Sequence, residues 1–138
     1  MEIVTTDDIF TYWNTSYMAS PMPTVILSLQ NGRYKADPTY MHKKVPTDDE
    51  IAKMAESVTS WSGSAGPEVA WIYPIDLIYY GNRESAQKYV DLAWRDNTNE
   101  AFKSKEDFWN QIESKLTTSP YYADLWPYFW HGYDNKAK

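Results

Sequence analysis

The chain has 138 residues, with 19 acidic and 13 basic side chains, and its net charge is −6. This length predicts one domain, residues 1–138, whose core is large enough to be stable without disulfides or a structural metal. The acidic balance argues against binding to a nucleic-acid backbone, and the absence of cysteine excludes disulfides and thiolate chemistry. Aromatic residues make up 17% of the chain. This is more than one small core needs, so some of them are expected to line a pocket or an interface.

No segment of the sequence predicts a membrane span or a targeting signal. Asp7 and Asp8 interrupt the apolar character of the first residues, unlike a secretory signal. The longest apolar run, near residues 69–80, is broken by Pro74 and Asp76 and is too short to cross a bilayer. We therefore expect a cytoplasmic protein that does not enter a membrane.

The first elements in chain order are a short helix and a hairpin. A helix is predicted over residues 6–14, with Thr6 as its cap and acidic residues at its positive end. A β-hairpin is predicted over residues 24–36. Its two strands flank Asn31 and Gly32, the dipeptide best suited to the positive φ angles of a type I′ turn.

A long amphipathic helix is predicted over residues 48–60. Thr47 and Glu50 form a capping box at its start. Ile51, Met54, Ala55 and Val58 then repeat at helical spacing, so we expect this apolar face, Met54 included, to be buried.

The middle of the chain predicts a flexible loop at residues 62–67, followed by a buried strand. Residues 69–73 are apolar on both faces, as in a strand covered on both sides. Residues 75–80 fit either a second strand or a turn of helix, because so short a run has no decisive periodicity.

Three more helices complete the prediction. The first is capped by Asn82, carries an ion pair between Glu84 and Lys88, and has an apolar face of Ala86, Tyr89, Val90, Ala93 and Trp94. The second is capped by Ser104, and its apolar face is Phe108, Trp109, Ile112 and Leu116. The third is short and starts at Ser119-Pro120. Residues 134–138 are expected to fray. The fold class is therefore α+β: a small antiparallel or mixed sheet, including the 24–36 hairpin, packed against three to four helices.

Basic and aromatic residues alternate after the hairpin turn. A small anionic ligand with a flat ring would need this combination of positive charge and stacking surface. The candidate ligand-binding residues are Arg33, Lys35, Tyr40, Lys43 and Lys44. Arg33 and Lys35 should point from one face of the returning strand and Tyr34 from the other, so Tyr40 is the better stacking candidate. The alternative is an ordinary solvated hairpin and loop.

Aromatic residues are densest between residues 121 and 133. Trp and Tyr dominate the energetics of protein interfaces, but they also fill cores. The candidate partner-interface residues are Tyr122, Trp126, Tyr128, Trp130 and Tyr133. The alternative is that this segment closes the core.

The sequence has no recognisable catalytic or metal-binding motif. His42 and His131 are isolated, with no second ligand at helical spacing, and no cofactor or metal is expected. Asp76 interrupts an apolar run, so it either caps a turn after Pro74 or is a buried carboxylate in a site.

Size and charge are similar to those of small acidic proteins that work by binding, such as inhibitors, immunity proteins and phage counter-defence proteins. The leading hypothesis is a non-enzymatic protein that covers a basic surface of a partner protein. Its aromatic surface is expected to hold that partner or to form a homo-oligomer. The first alternative is a protein that binds or sequesters a nucleotide or sugar. The second is an unfamiliar small enzyme that uses Asp76 and a histidine.

Overall fold

The computed structural model describes residues 2–11, 20–59, 68–94 and 104–133. Its strands are β1 (Glu2–Thr6), β2 (Thr24–Gln30) and β3 (Arg33–Ala36). Its helical segments are α1 (Pro38–Met41), α2 (Asp48–Thr59), α3 (Glu68–Tyr79), α4 (Arg83–Ala93), α5 (Lys105–Leu116) and α6 (Tyr122–His131). The strands form one antiparallel sheet in the order β1-β2-β3, which confirms the α+β class. The predicted loop at 62–67 and the tail at 134–138 lie outside the described residues.

The predicted hairpin is confirmed. Gln30 lies opposite Arg33 in the register of β2 and β3, which leaves Asn31 and Gly32 as the two-residue turn. Their φ angles are 54° and 79°. Positive φ at both central positions is what a type I′ turn requires, and its twist matches that of the flanking strands.

The predicted helix at residues 6–14 is wrong where the structure describes it. Residues 2–6 form β1, and residues 9–11 form a turn. Residues 12–14 of the prediction lie outside the described residues. Ile3, Val4, Thr5 and Thr6 are all β-branched, which favours a strand. Thr6, which was predicted to cap this helix, is therefore the last residue of β1.

Asp7, which would have begun that helix, is a fully buried carboxylate that joins three parts of the chain. Its Oδ2 accepts hydrogen bonds from the Tyr79 hydroxyl at 2.8 Å and the Ser119 hydroxyl at 2.5 Å. Its Oδ1 accepts one from the Ile9 amide at 3.3 Å. A buried carboxylate needs such donors to offset the loss of water. Asp7 thus links the N-terminal strand to α3 and to the α5–α6 connection.

The predicted strand at residues 69–73 is also wrong, because residues 68–79 form α3. Pro74 lies inside this helix. Ile75, Leu77, Ile78 and Tyr79 are all buried, so the helix is covered on more than one face over its second half. A helix buried all round has the same continuous apolar sequence as a buried strand, and periodicity cannot separate the two. The third strand of the sheet is therefore β1, and not residues 69–73 as predicted.

The other long helices agree with the sequence, with differences in detail. In α2, Thr47 and Glu50 exchange the capping-box hydrogen bonds at 3.1 and 3.2 Å. Ile51 and Ala55 are buried as predicted, but Met54 is only partly buried. The expectation that Met54 is a fully packed core residue is therefore wrong. The side chain of Val58 lies outside the described part.

Helices α4, α5 and α6 begin close to the predicted positions. Ser104 caps α5, since its hydroxyl accepts from the Asp107 amide at 3.0 Å. Asn82 precedes α4 without capping it by its side chain, which instead donates to the Lys43 and Lys44 carbonyls. Helix α6 begins at Tyr122 rather than at Ser119-Pro120, and the Ser119 hydroxyl both donates to Asp7 and accepts from the Tyr121 amide at 3.1 Å.

The predicted ion pair within α4 is replaced by a pair between helices. Lys88 lies 3.4 Å from Asp48 at the start of α2, rather than pairing with Glu84. Both side chains of the observed pair are exposed. The contact therefore adds little to stability.

Two glycines with positive φ bring the end of α6 against the turn between α3 and α4. Gly81 has φ 81° and Gly132 has φ 78°. The Tyr133 amide donates to the Gly81 carbonyl at 3.0 Å. A Cβ on Gly81 would lie 2.8 Å from a Tyr128 ring carbon, so a side chain there would strain both the backbone and the packing.

Candidate protein-interaction surface

The predicted C-terminal aromatic segment divides into core and surface residues. Tyr128 is 4% exposed, and its hydroxyl donates to the Tyr79 carbonyl at 2.7 Å. Tyr133 is partly buried and stacks on His42, with ring centroids 3.8 Å apart and planes 4° from parallel. Tyr128 therefore fills the core and Tyr133 closes its edge.

Tyr122, Trp126 and Trp130 follow one another at intervals of four residues along α6. Residues at this spacing share one face of a helix. Trp126 is 48% exposed, and the other two are partly buried. The Trp130 indole N–H donates to the Tyr122 hydroxyl at 3.0 Å, and the two rings meet edge to face. The stripe is therefore braced by a side-chain hydrogen bond within α6.

Arg83 extends this stripe to α5. Its guanidinium carbon lies 5.1 Å from the ring centroid of Trp130 and 5.2 Å from that of Trp109, which are both cation–π distances. The guanidinium also donates to Glu113 at 2.8 Å. The Arg83 side chain is 10% exposed and that of Glu113 is 44% exposed. Arg83 is thus a buried cation that holds two indole rings in place.

We call these five residues, Tyr122, Trp126, Trp130, Trp109 and Arg83, the aromatic patch. Tyr122, Trp126 and Trp130 are interface candidates from the sequence. Trp109 is predicted on the core face of α5, and Arg83 is not among the predicted residues. One sequence signal could have identified Arg83. It is a basic residue at the first position of a helix, where the helix dipole disfavours a cation.

The five candidate ligand-binding residues are distributed over two regions. Arg33 and Lys35 lie on one face of the sheet, opposite Gln30 and Ser28, as the alternation of the strand predicts. The exposed Arg33 is 4.0 Å from Asp124 of α6.

Carboxylates accompany the cations and the tyrosine on this face. Asp37 accepts from the Ser28 hydroxyl at 2.6 Å. The negative charge of Glu2 raises the pKa of the Tyr40 hydroxyl. Asp124, 4.0 Å from Arg33, therefore reduces the positive charge that this face offers an anion.

The Lys43 side chain is directed toward Tyr80 rather than toward Arg33 and Lys35. Its ammonium nitrogen lies 4.0 Å from the ring centroid of Tyr80, beyond the end of α3. Lys44 is exposed, and its carbonyl accepts from Asn82. Two surface cavities of about 200 and 380 Å³ have none of the five candidate ligand-binding residues in their linings.

Asp76 lies inside α3, so it does not cap a turn after Pro74. Burial raises the pKa of its carboxyl to about 6, and the charge of Lys43 acts in the opposite direction. Within the described ranges, no hydrogen bond joins Asp76 to His42 or His131. The same ranges hold no group of three or more His, Asp or Glu side chains that could bind a metal.

No protein-family model matches the chain, and comparison with curated proteins and with solved structures gives no significant match. In the described residues, no helix is both long enough and apolar enough to cross a membrane.

Proposed function

We propose that the protein is a non-enzymatic, cytoplasmic binding protein that covers a basic surface of a partner protein through the aromatic patch. The observation that carries this proposal is the exposed Trp126 between Tyr122 and Trp130 on the outer face of α6. Trp, Tyr and Arg are the residue types that contribute most to interface hot spots.

The rigidity of the patch supports the proposal. The hydrogen bond between Trp130 and Tyr122 and the position of Arg83 between two indoles fix these side chains before any partner arrives. Ordering a side chain on binding costs about 0.5–1.5 kcal/mol, and side chains that are already ordered avoid this cost.

Charge supports a basic partner. The chain carries a net charge of −6, and the exposed Glu106 lies one helical turn from Trp109 on α5. Complementary charge accelerates association and disfavours acidic partners. The alternative of a small anionic ligand at Arg33 and Lys35 has less support, because Asp124 lies 4.0 Å from Arg33 and the linings of the two surface cavities include neither cation.

The test compares Trp126→Ala with Tyr40→Ala, two variants that each remove one exposed aromatic ring. Trp126 is 48% and Tyr40 is 49% exposed, so both variants should fold, which circular dichroism can check. Each protein is immobilised and incubated with lysate of its source cells, and retained proteins are quantified by mass spectrometry. A basic protein that wild type and Tyr40→Ala retain, and that Trp126→Ala loses, is the expected partner.

The purified partner then gives the decisive measurement. Calorimetric titration should show that Trp126→Ala weakens binding by about thirtyfold or more, the loss typical of a hot-spot residue. Tyr40→Ala should bind with the affinity of wild type. Added salt should lower the association rate of the wild-type complex, because it screens the attraction between the two proteins. Equal affinities for wild type and Trp126→Ala would disprove the role of the aromatic patch. A loss with Tyr40→Ala alone would move the site to the sheet.

A further inference from the structure

The two edges of the sheet differ in how they are covered. At the β3 edge, Asp124 of α6 accepts a hydrogen bond from the Ala36 amide at 3.3 Å, and Arg33 lies 4.0 Å from the same carboxylate. At the β1 edge, Val4 is 70% exposed, and Glu2 and Thr6 are exposed as well. Bare edge strands are templates for pairing with another chain, and proteins commonly cover or interrupt them.

The register shows which backbone groups of β1 point outward. Thr6 pairs with Thr24, and the next amide, that of Asp7, donates to the Pro23 carbonyl at 2.9 Å. Hydrogen-bonded pairs alternate along an antiparallel ladder, so Thr5 and Ile3 also bond inward to β2. The backbone groups of Glu2, Val4 and Thr6 therefore point away from the sheet.

The other side of β2 agrees with this assignment. The Asp37 amide donates to the Ile26 carbonyl at 2.9 Å, so Ile26 bonds toward β3 rather than toward Val4. Over the residues that the structure describes, no partner is recorded for the outward backbone groups of Glu2, Val4 and Thr6.

We propose that β1 pairs antiparallel with β1 of a second copy of this chain, about a two-fold axis at Val4, to form a continuous six-stranded sheet. In this register Val4 faces Val4 of the second copy, and Glu2 faces its Thr6. Each of these pairs exchanges both N–H···O bonds, so all three outward-facing residues of each copy are satisfied. A two-fold axis makes the contact closed and self-complementary.

The position of Glu2 and the exposure of Val4 favour the antiparallel over the parallel orientation of the second copy. The antiparallel register keeps the two Glu2 carboxylates about 14 Å apart along the strands, whereas a parallel pairing would place them side by side. The most exposed apolar residue of β1, Val4, meets itself at the centre. Because five residues on each side make a small interface, the dimer is weak and forms with rising concentration.

The aromatic patch is not part of this contact. Helix α6 contacts β3, at the other edge of the sheet. The inference therefore does not depend on the proposed function, and Trp126→Ala should leave the dimer constant unchanged.

The experiment is sedimentation equilibrium of the full chain from about 1 µM to about 1 mM, the range in which weak dimers dissociate. Wild type should shift from monomer to dimer. Val4→Pro removes the central donor at a position where an edge strand tolerates proline, and it should weaken the dimer by about tenfold or more. The matched control Val4→Thr keeps the donor and the β-branched shape, so it should dimerise like wild type.

A third variant tests the register. Thr6→Lys places an ammonium opposite Glu2 of the second copy at both ends of the contact, and it should tighten the dimer by about two- to tenfold at low salt. If Val4→Pro does not fold, amide exchange of wild type replaces it. Exchange at Val4 should then slow as concentration rises, while exchange at the exposed Thr39 stays constant. A monomer at every concentration, or a dimer that Thr6→Lys does not tighten, would overturn the proposal.

Discussion

Replacing Asp76 by Asn should remove a pH-dependent penalty from the fold. Burial raises the pKa of Asp76 to about 6 from an ordinary value of 3.8. Between these values the unfolded chain is ionised while the folded chain keeps its proton, so the stability contribution falls as pH rises. A pKa shift of about two units corresponds to about 3 kcal/mol of stability. Because the side chain retains contact with water, screening reduces the expected penalty to about 1–2 kcal/mol.

Urea unfolding of wild type and Asp76→Asn from pH 4 to pH 8 measures this penalty. The free energy of unfolding of the variant, minus that of wild type, should rise by about 1–2 kcal/mol between pH 4 and pH 7 and level off above it. Any cost of burying the amide applies at every pH and cancels from this change. The exposed Asp8→Asn is the control for losing one negative charge. A difference that is flat over this range, or that changes equally in the control, would refute the reasoning.

Two further predictions concern the core. Gly81→Ala should cost about 2–4 kcal/mol and Gly32→Ala about 1 kcal/mol, because both have positive φ but only the Cβ at Gly81 would meet ring atoms. Equal losses in urea unfolding would show that the backbone angle alone matters. Ser119→Ala removes a donor from the buried carboxylate of Asp7 and should cost about 1.5–3 kcal/mol. The exposed Ser114→Ala should be close to neutral, and a similarly small loss at Ser119 would mean that Asp7 has no need of that donor.

The sequence by itself determined the elements whose signals are local. The turn at Asn31-Gly32 depends on the φ angles of two residues, and the capping box at Thr47 depends on atoms three residues apart. Ser104 caps α5 for the same reason. The apolar stripes of α2, α4 and α5 also repeat within a few residues, so helical geometry predicts most of their buried residues, although Met54, Trp94 and Trp109 are only partly buried.

For the surface, the sequence predicted the position of the aromatic segment but could not separate its buried residues from its exposed residues. Tyr128 and Trp126 are two residues apart, yet one is 4% exposed and the other 48%. Their exposure depends on which face of α6 meets the rest of the protein. The contact of Arg83 with Trp130 joins residues 47 positions apart, which no local pattern encodes.

Only the tertiary structure decided the elements whose residues suit more than one role. The sequence of residues 69–73 suits a strand as well as a helix, because a continuous apolar run has no polar face to show its period. Asp7 could cap a helix or be buried, and the choice depends on hydroxyls from Tyr79 and Ser119, 72 and 112 residues away. With those donors in place, the carboxylate is satisfied inside the core and residues 2–6 are free to pair with β2. Short-range hydrogen bonds and periodicity are encoded in neighbouring residues, whereas burial depends on which distant segments meet.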